Sequence, residues 1–368
     1  MLQIKDIVNH LESLAPLCLQ ESYDNSGLLV GDDSKIITKI LVCLDSTEGV
    51  VDEAIAKGCN LIIAHHPIIW GGLKRLTGKN ESQRVVIKAI EHSIAIYACH
   101  TNLDKIQNGV NHKFAERLQL RNTQILKPEL GLLKKLVTFV PVASLEEVRS
   151  ALCLAGGGTI GNYDHCTYDT PGHGTFRGLE HSNPFVGEKG ELHREPEHRL
   201  EILFPVYLQH KIMNALLVAH PYEAVAYDIY PLDNANHEFG MGMIGELENP
   251  METADFLRFL KQQMHCNAVR FVNSNPERKI SKVALCGGVG HFLLPEAIAQ
   301  KADAFITSDI KYHEIMEAEN HLLYADIGHY ESEKYTMELF IELISQKFTN
   351  IALLFSENNI NPVQYFIS

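Results

Sequence analysis

The sequence lacks paired cysteines, long apolar runs and an excess of positive charge. Its eight cysteines are scattered over 368 residues with no CxxC pair, which fits neither a disulfide framework nor a cysteine zinc site. No apolar run approaches the ~18 to 20 residues that a membrane helix needs. The first residues are interrupted by Lys5, Asp6 and Glu12, unlike a signal peptide. We therefore expect a cytoplasmic protein with no membrane partner.

Basic side chains are fewer than acidic ones, 32 against 46, which gives a formal net charge of −14 at pH 7. This balance disfavours general attraction to nucleic acid, so no nucleic-acid partner is predicted. Hydrophobic residues make up 45% of the chain and charged residues 21%, which is the ordinary balance of a folded protein. The length suits two domains.

Two parts of the chain alternate short apolar segments with segments of helical periodicity. The predicted strands are 39–44, 60–64 and 94–99 in the first part, and 282–286, 303–307, 322–327 and one near 350–355 in the last part. Continuously apolar strands that are separated by helices indicate a parallel sheet covered on both faces. The sequence therefore predicts an α/β fold.

The pattern changes after Pro128. Strands and helices follow there in the order βαββαβ, which is the arrangement of a ferredoxin-like domain. Within it, segments 161–169 and 173–179 are expected to be paired strands. The segment 234–250 is rich in Gly and Asn and is expected to be a linker that returns to the α/β fold.

These patterns predict one α/β domain that is interrupted by a second domain. The α/β domain is formed by residues 1–126 and 247–368, and the ferredoxin-like α+β insert by residues 127–246. Three domains in series are the alternative, but each α/β half would then have few strands.

Nineteen histidines are the main chemical signal, because histidine is the commonest metal ligand and carries protons near neutral pH. In an open parallel sheet, ligands bind outside the carboxyl ends of the strands. Three groups of polar residues directly follow predicted strands: His65 and His66; His100, Thr101, Asn102 and Asp104; and His329 and Glu333. We expect the three groups to lie at one edge of the sheet.

The spacing of these residues is typical of a metal site. His329 and Glu333 are four residues apart where a helix begins, which places both side chains on one face of that helix if it starts early enough. Adjacent His65 and His66 point in different directions from extended backbone, so both contribute most easily if two ions are bound. Imidazole and carboxylate suit Zn, Mn or Fe, and two ions bridged by a carboxylate, for which Asp104 is the natural candidate, can drive hydrolysis. A His-His pair alone is more often structural, so the prediction depends on all three groups converging.

Three weaker features keep two interpretations each. The GGVG loop at 287–290 could cradle a phosphate with its backbone amides or form a tight turn. Asp309 and His313 could support the metal site or contact a substrate, or they could be a helix cap and a polar residue. Asp24 and Asn25 could orient a histidine or form a turn.

Six segments resemble a known family: YDNSGLLVGD (23–32), IIAHHPIIW (62–70), HTNLDKIQNGVN (100–111), LCGGVG (285–290), TSDIKYHE (307–314) and DIGHYESE (326–333). They are similar to the GTP cyclohydrolase I type II homologue family, also called the NIF-three-like proteins. The insert resembles the PII-like or CutA-like domain of the longer bacterial members, especially at HPYEAVAYDIYPL (220–232). Tyr23 and Ser26 replace the family's usual Trp and Val, and Ser308 a usual Gly, which puts only the shape of the pocket in doubt.

The resemblance implies a dinuclear metal site with His65, His66, Asp104, His329 and Glu333 as ligands. It also implies a toroidal homohexamer. The expected function is a hydrolase that depends on two divalent ions (Zn, Fe or Mn) and acts on a small molecule. The substrate would be a nucleotide, by GTP ring opening, or a phosphate ester. A non-catalytic metal-binding regulatory or scaffold protein is the alternative.

His100 is the candidate catalytic residue. It follows a strand end four residues before Asp104 and is not among the five ligands that the resemblance implies. It could therefore shuttle a proton during hydrolysis, or it could only buttress the metal site.

Overall fold

The computed structural model describes residues 1–273, 275, 277–358 and 361–366. These residues form two compact units. The first, which we call the split unit, is formed by residues 1–128 together with the described residues from 237 onward. The second, the inserted unit, is formed by residues 129–236.

Strands and helices alternate along much of the chain, which confirms the α/β class. The strands are β1 (Gly27–Val30), β2 (Ile40–Cys43), β3 (Leu61–Ala64), β4 (Ala95–Ala98), β5 (Arg121–Glu129), β6 (Leu133–Pro141), β7 (Thr167–Arg177), β8 (Leu192–Pro205), β9 (Tyr227–Leu232), β10 (Asn236–Glu252), β11 (Arg270–Val272), β12 (Lys279–Val289), β13 (Ala304–Ser308), β14 (Leu323–Asp326) and β15 (Leu353–Phe355). The helices are α1 (Ile4–Leu14), α2 (Glu48–Lys57), α3 (Glu81–Glu91), α4 (Thr101–Asp104), α5 (Val110–Arg117), α6 (Leu145–Leu154), α7 (Gln209–Ala219), α8 (Thr253–Gln263), α9 (Leu294–Ala299), α10 (Tyr312–Glu317), α11 (His329–Glu333) and α12 (Thr336–Ser345). None of the described helices is long and apolar enough to cross a membrane.

The first sheet of the split unit has the strand order β1-β4-β3-β2-β15. Its strands are parallel from β4 to β15, and β1 is antiparallel to β4. Cys43, Ala64 and Ala98 lie side by side at the ends of β2, β3 and β4. Every residue of these three strands is buried, which explains why their sequences are continuously apolar.

The second sheet of the split unit has the strand order β11-β14-β13-β12-β10-β5. We expected one sheet, but the described residues of this unit form two. Each sheet contains strands from both the early and the late part of the chain. The late strand β15 joins the first sheet, and the early strand β5 joins the second. Alternating strands and helices indicate parallel pairing without specifying the sheet that each strand joins, so the sequence pattern could not separate the two.

The predicted linker at 234–250 is instead strand β10, which is antiparallel to β12. Its glycines suggested a loop, but they are needed because β5 approaches closely on the other side. A Cβ at Gly240 would lie 2.1 Å from the Lys127 carbonyl oxygen, and one at Gly245 would lie 3.0 Å from the Arg121 carbonyl oxygen. From His237 onward this strand belongs to the split unit, and it continues past residue 246, where the insert was predicted to end.

The inserted unit has an antiparallel sheet with the strand order β7-β8-β6-β9, and its elements follow in the predicted order βαββαβ. The prediction of two paired strands at 161–169 and 173–179 is wrong. The single strand β7 covers parts of both segments and pairs with β8. Pro171 is tolerated within β7 because that strand lies at the sheet edge. Residues of α6 and α7 share a hydrophobic core with β6 and β8. The likeness to PII or CutA domains stays a prediction.

Candidate metal centre

The strand ends of the first sheet bring polar side chains to one edge. Asp45 follows β2, His65 and His66 follow β3, and His100 follows β4. Because the three strands are in register, these residues leave the sheet at the same level. The chain then turns into α4, which ends at Asp104.

The second sheet contributes the short helix α11, which begins shortly after β14. Gly328 precedes this helix with a φ of 93°, a conformation that glycine adopts without strain. His329 and Glu333 are the first and last residues of α11, so the four-residue spacing places them on one face. Asp309 follows β13, the strand next to β14.

Glu333 lies at the centre of the cluster that these elements form. Its Oε2 atom is 3.1 Å from His66 Nε2 and 3.0 Å from His329 Nε2. Its Oε1 atom is 3.8 Å from His65 Nε2, which in turn is 3.7 Å from Asp104 Oδ1. The structure therefore brings together the five residues that the sequence singled out. His66 and His329 lie at Oε2 of Glu333, whereas His65 and Asp104 lie on the side of Oε1.

His65 is fully buried and presents a nitrogen without a partner to the cluster. Its Nδ1 atom donates to the Cys99 carbonyl oxygen over 3.0 Å. A carbonyl oxygen can only accept, so Nε2 of the neutral ring carries a lone pair. Nε2 and Asp104 Oδ1 are both buried without a hydrogen-bond partner among the described residues. Buried polar atoms are rarely left unpaired, so these two orphaned ligand atoms fit a metal ion.

The other two histidines are pushed toward positive charge. Burial lowers the pKa of His66, but hydrogen bonds to Asp45 and Glu333 outweigh it and raise the pKa to about 10. Burial lowers the pKa of His329 as well. The charge of Glu333 and the hydrogen bonds to Glu333 and Asp309 outweigh it and raise the pKa to about 9. Burial raises the pKa of Glu333, but the histidines outweigh it and hold that pKa well below its usual range. Positive charge is therefore favoured beside this carboxylate, which is what a bound cation would supply.

Carboxylates also hold the Nδ1 atoms of His66 and His329, on the side of each ring that faces away from Glu333. Asp45 Oδ1 lies 2.8 Å from His66 Nδ1, and Asp309 Oδ2 lies 2.6 Å from His329 Nδ1. Such acceptors orient the ring and leave Nε2 for a metal ion. Together with the Cys99 carbonyl on His65, they hold all three Nε2 atoms toward Glu333.

Sequence reasoning missed Asp45 and left Asp309 open. Asp45 follows β2 just as His65 follows β3, so the rule of strand ends would have found it. The contact between Asp309 and His329 favours a supporting role for this aspartate. His313 is exposed and packs its ring against Tyr312.

His100 lies beside the cluster and is oriented by Asp24. Its Nδ1 atom donates to Asp24 Oδ1 over 2.8 Å, while Asp24 Oδ2 accepts from the Thr101 amide and hydroxyl. Burial raises the pKa of Asp24, but the hydrogen bonds from His100 and Thr101 lower it far below its usual range. The His100 ring centre is 5.1 Å from that of His65 and 5.4 Å from that of His66. Of the two interpretations of Asp24, the structure therefore favours orientation of a histidine, His100.

The GGVG loop packs against Glu333. The Gly287 amide donates to Asn111 Oδ1 over 2.9 Å, and the Gly288 amide donates to Ser332 Oγ over 3.0 Å. Gly288 has a φ of 61°, and a Cβ there would lie 2.3 Å from Glu333 Oε1. Both amides are used within the protein, so they are not free to cradle a phosphate, and only glycine fits at position 288.

A cavity of about 770 Å³ opens over the cluster. His66, His100, His329, Asp104 and Glu333 line it. Exposed aromatic side chains also contribute to its wall, namely Tyr23, Trp70 and Phe292. Its volume lies in the range of ~300 to 1,000 Å³ that is usual for small-molecule sites.

Two overlapping groups of side chains have ligand atoms within 4.8 Å of one another. One is His65, His66 and His100, and the other is His66, His329 and Glu333. This buried cluster can therefore hold a metal ion.

The chain is similar to known proteins over nearly its whole length. The family model of Duf34/NIF3 (NGG1p interacting factor 3) matches residues 2–362. A Bacillus subtilis protein named GTP cyclohydrolase 1 type 2 homolog is 38% identical over 367 residues, 98% of each chain. A Staphylococcus aureus protein of the same name is 33% identical over 369 residues, 99% of this chain and 100% of that one. The crystal structure of a Bacillus cereus protein related to NIF3 aligns with a TM-score of 0.83 at 38% identity, over 99% of both chains.

Proposed function

The chain belongs to the Duf34/NIF3 family, and we propose that it is a hydrolase that depends on two divalent metal ions. The observation that carries the proposal is the position of Glu333, with one oxygen toward His65 and the other toward His66 and His329. A carboxylate between two groups of ligand nitrogens is suited to bridge two ions. The name that the curated relatives carry, GTP cyclohydrolase 1 type 2 homolog, supports hydrolysis as the reaction.

We assign His65, Asp104 and Glu333 to one ion, and His66, His329 and Glu333 to the other. Glu333 is then the bridging ligand instead of Asp104, because the Asp104 Oδ1 atom faces His65 Nε2. Each ion would keep positions open for water or substrate, as catalytic sites do. Mixed imidazole and carboxylate ligands suit Zn, Fe and Mn alike.

The residues around the ligands would divide the remaining work. Divalent ions at this site would lower the pKa of water toward neutrality and polarise an oxygen of the substrate. Asp45 and Asp309 hold the rings of His66 and His329 in place. Asp24 holds His100 by Nδ1, which leaves His100 Nε2 to give a proton to the substrate or take one from it.

The wall of the cavity suits a small molecule with a planar base. The exposed rings of Tyr23, Trp70 and Phe292 give its wall flat apolar surfaces on which a base could stack. GTP ring opening needs a hydroxide at purine C8, and hydrolysis of a phosphate ester would use the same activated water. We therefore propose a nucleotide or a phosphate ester as the substrate.

Turnover by the purified, metal-loaded chain tests this function. The chain is loaded with Zn, Fe or Mn in turn and incubated with GTP and a panel of phosphate esters. We expect hydrolysis that Glu333→Gln abolishes. Glu338→Gln, a change at a half-buried glutamate of α12 that pairs with Arg117 and does not line the cavity, should leave it intact. A fully loaded wild type that is inert toward every compound would contradict the proposal and favour a metal-binding scaffold.

We also propose that the chain assembles as a homohexamer in the cytoplasm. The family resemblance supports the assembly, and eight scattered cysteines without the pattern of a disulfide framework fit a reducing compartment such as the cytoplasm. Light scattering behind a sizing column should give the mass of six chains, and a monomer or dimer would contradict the assembly.

A further inference from the structure

The inserted unit contains a separate cavity of about 970 Å³. Along β6 and β8, the cavity residues Phe139, Glu197 and Arg199 alternate with core residues such as Val140 and Leu200. Neighbouring side chains of a strand point to opposite faces of a sheet. The cavity therefore lies on the face of the sheet that the helices α6 and α7 leave open.

A buried carboxylate lines this cavity. Glu197 is only 7% exposed, and its Oε1 atom accepts from the Tyr222 hydroxyl over 2.7 Å. A Cβ at Gly174 would lie 2.1 Å from Glu197 Oε2, so the glycine makes room for the carboxylate. Among the described residues, no basic side chain forms an ion pair with Glu197, and Arg199 pairs instead with Glu201 at 3.1 Å.

The nearby imidazole of His220 does not supply the missing charge. His220 Nδ1 accepts from the Tyr222 amide over 3.1 Å, and Nε2 donates to the Phe139 carbonyl oxygen over 3.0 Å. These two bonds fix the neutral tautomer. Burial also lowers the pKa of His220. Glu197 is thus a buried carboxylate that lacks a compensating cation, which costs free energy until one binds.

The surroundings of Glu197 favour a cation with an apolar body. The Tyr222 ring lies 6.0 Å from the Phe176 ring, and both line the cavity next to the carboxylate. Aromatic faces attract cations, most strongly where water is excluded. Arg177 and Arg199 also line the cavity, but both are exposed, so solvent screens their charge more than that of Glu197.

We propose that this cavity binds a small organic ammonium ion, with its ammonium group at Glu197 and its apolar body against Tyr222 and Phe176. The ammonium would donate to the carboxylate and supply the charge that the protein does not. The site is independent of the metal cluster, because all of its residues belong to the inserted unit.

Binding of benzylamine to the full-length chain, followed by NMR titration, tests the proposal. We expect wild type to bind and Glu197→Gln to bind about tenfold or more weakly, since the amide keeps an acceptor for Tyr222 but loses the charge. Glu195→Gln, on the same face of β8, is the matched control and should bind like wild type. Benzyl alcohol, which has nearly the same shape and no charge, should bind about tenfold or more weakly than benzylamine.

The stability of Glu197→Gln gives a second readout. Removing a buried charge that has no ion-pair partner in the part of the chain that the structure describes should raise the thermal midpoint of the ligand-free chain. A lower midpoint would make the carboxylate structural and would overturn the proposal. Equal benzylamine binding by wild type and Glu197→Gln, equal binding of the amine and the alcohol, or no binding at all would also overturn it.

Discussion

At the scale of single residues, Glu333 lies between the histidines of the candidate metal centre, and Gly288 leaves room for its carboxylate. A Cβ at Gly288 would meet Glu333 Oε1 at 2.3 Å, and the backbone there is left-handed. A Cβ at the neighbouring Gly287 would make ordinary contact with Glu333 Cγ at 3.4 Å. Alanine at Gly288 would therefore crowd the Glu333 carboxylate, whereas alanine at Gly287 would not. Comparing the two variants distinguishes this crowding from a general effect on the loop.

We expect Gly288→Ala to lose most of its bound metal although no ligand is changed. The added methyl group displaces the Glu333 carboxylate, and an alanine at that φ is strained. Gly287→Ala should keep its metal. Elemental analysis of both variants after loading checks this, and full occupancy in Gly288→Ala would mean that the position of Glu333 does not matter for metal binding.

His100 should matter for rate more than for metal. We expect His100→Ala to keep much of its metal but to lose about 100-fold or more in kcat, as is usual when an acid or base is removed. Asp24→Asn should show a smaller loss of the same kind, because it weakens only the orientation of the ring. Parallel metal analysis and kinetics check this.

Two other outcomes would change the role of His100. Unchanged turnover in a fully metallated variant would remove His100 from the mechanism. Loss of the metal itself would make His100 a ligand, alongside His65 and His66, whose ligand atoms lie near its own.

At the scale of elements, burial decides what could be predicted from the sequence. The apolar runs predicted β2, β3 and β4 to within one residue, because strands covered on both faces are continuously apolar. The strand-end rule then selected His65, His100 and His329, and the structure brings these side chains into one cluster with His66. Strand β10 was missed because its glycines serve the close approach of β5, which a single sequence does not reveal.

The strand β15 is tied to helix α2 by one buried carboxylate. Glu53, whose side chain is 6% exposed, accepts hydrogen bonds from the Ser356 hydroxyl at 2.7 Å and the Asn358 side chain at 2.9 Å. It also accepts from the Glu357 amide at 3.0 Å and forms an ion pair with Lys57 at 2.6 Å. These bonds hold the segment after β15 against α2, and Asn358 also lines the cavity over the candidate metal centre.

We expect Glu53→Gln to lower the free energy of unfolding at pH 7 by about 1 to 3 kcal/mol, because a buried charged acceptor is lost. Glu357→Gln, at a carboxylate that is 83% exposed, should change it by less than about 0.5 kcal/mol. Scanning calorimetry of the two variants checks this. Equal midpoints for Glu53→Gln and wild type would show that the segment is held by other contacts.

The effect of Glu53 should depend on pH. Burial raises its pKa, but the hydrogen bonds from Lys57, Glu357, Asn358 and Ser356 outweigh it and lower the pKa from 4.5 to about 2. A lowered pKa gives stability that is complete above the unfolded value and is lost as the pH falls toward the folded value. The difference between wild type and Glu53→Gln should therefore shrink between pH 4.5 and pH 2.

At the scale of the whole molecule, the chain leaves and re-enters the split unit at neighbouring points. A Cβ at Gly240, in β10, would lie 2.8 Å from Pro128 Cα. The proposed ligands all lie in the split unit. The sequence predicted the interruption from the change of pattern, but it placed the return within β10, whose strand character it missed.

We expect that replacing residues 130–235 with a short Gly/Ser linker leaves a folded chain that binds metal like wild type. Replacing 127–246 should abolish folding or metal binding, because it removes most of β10, the partner of β12. Circular dichroism and metal analysis of the two shortened chains check this. A folded 130–235 replacement that binds no metal would show that the inserted unit is needed for the site.

The metal content of the wild-type chain beside that of Glu333→Gln tests the central claim most directly. After loading with Zn, Fe or Mn and removal of free metal, we predict about two ions per wild-type chain and fewer than about one in Glu333→Gln. His329→Ala and Asp104→Ala should each lose at least one ion, from opposite sides of Glu333. One ion per wild-type chain, or two retained in Glu333→Gln, would contradict a centre bridged by this carboxylate.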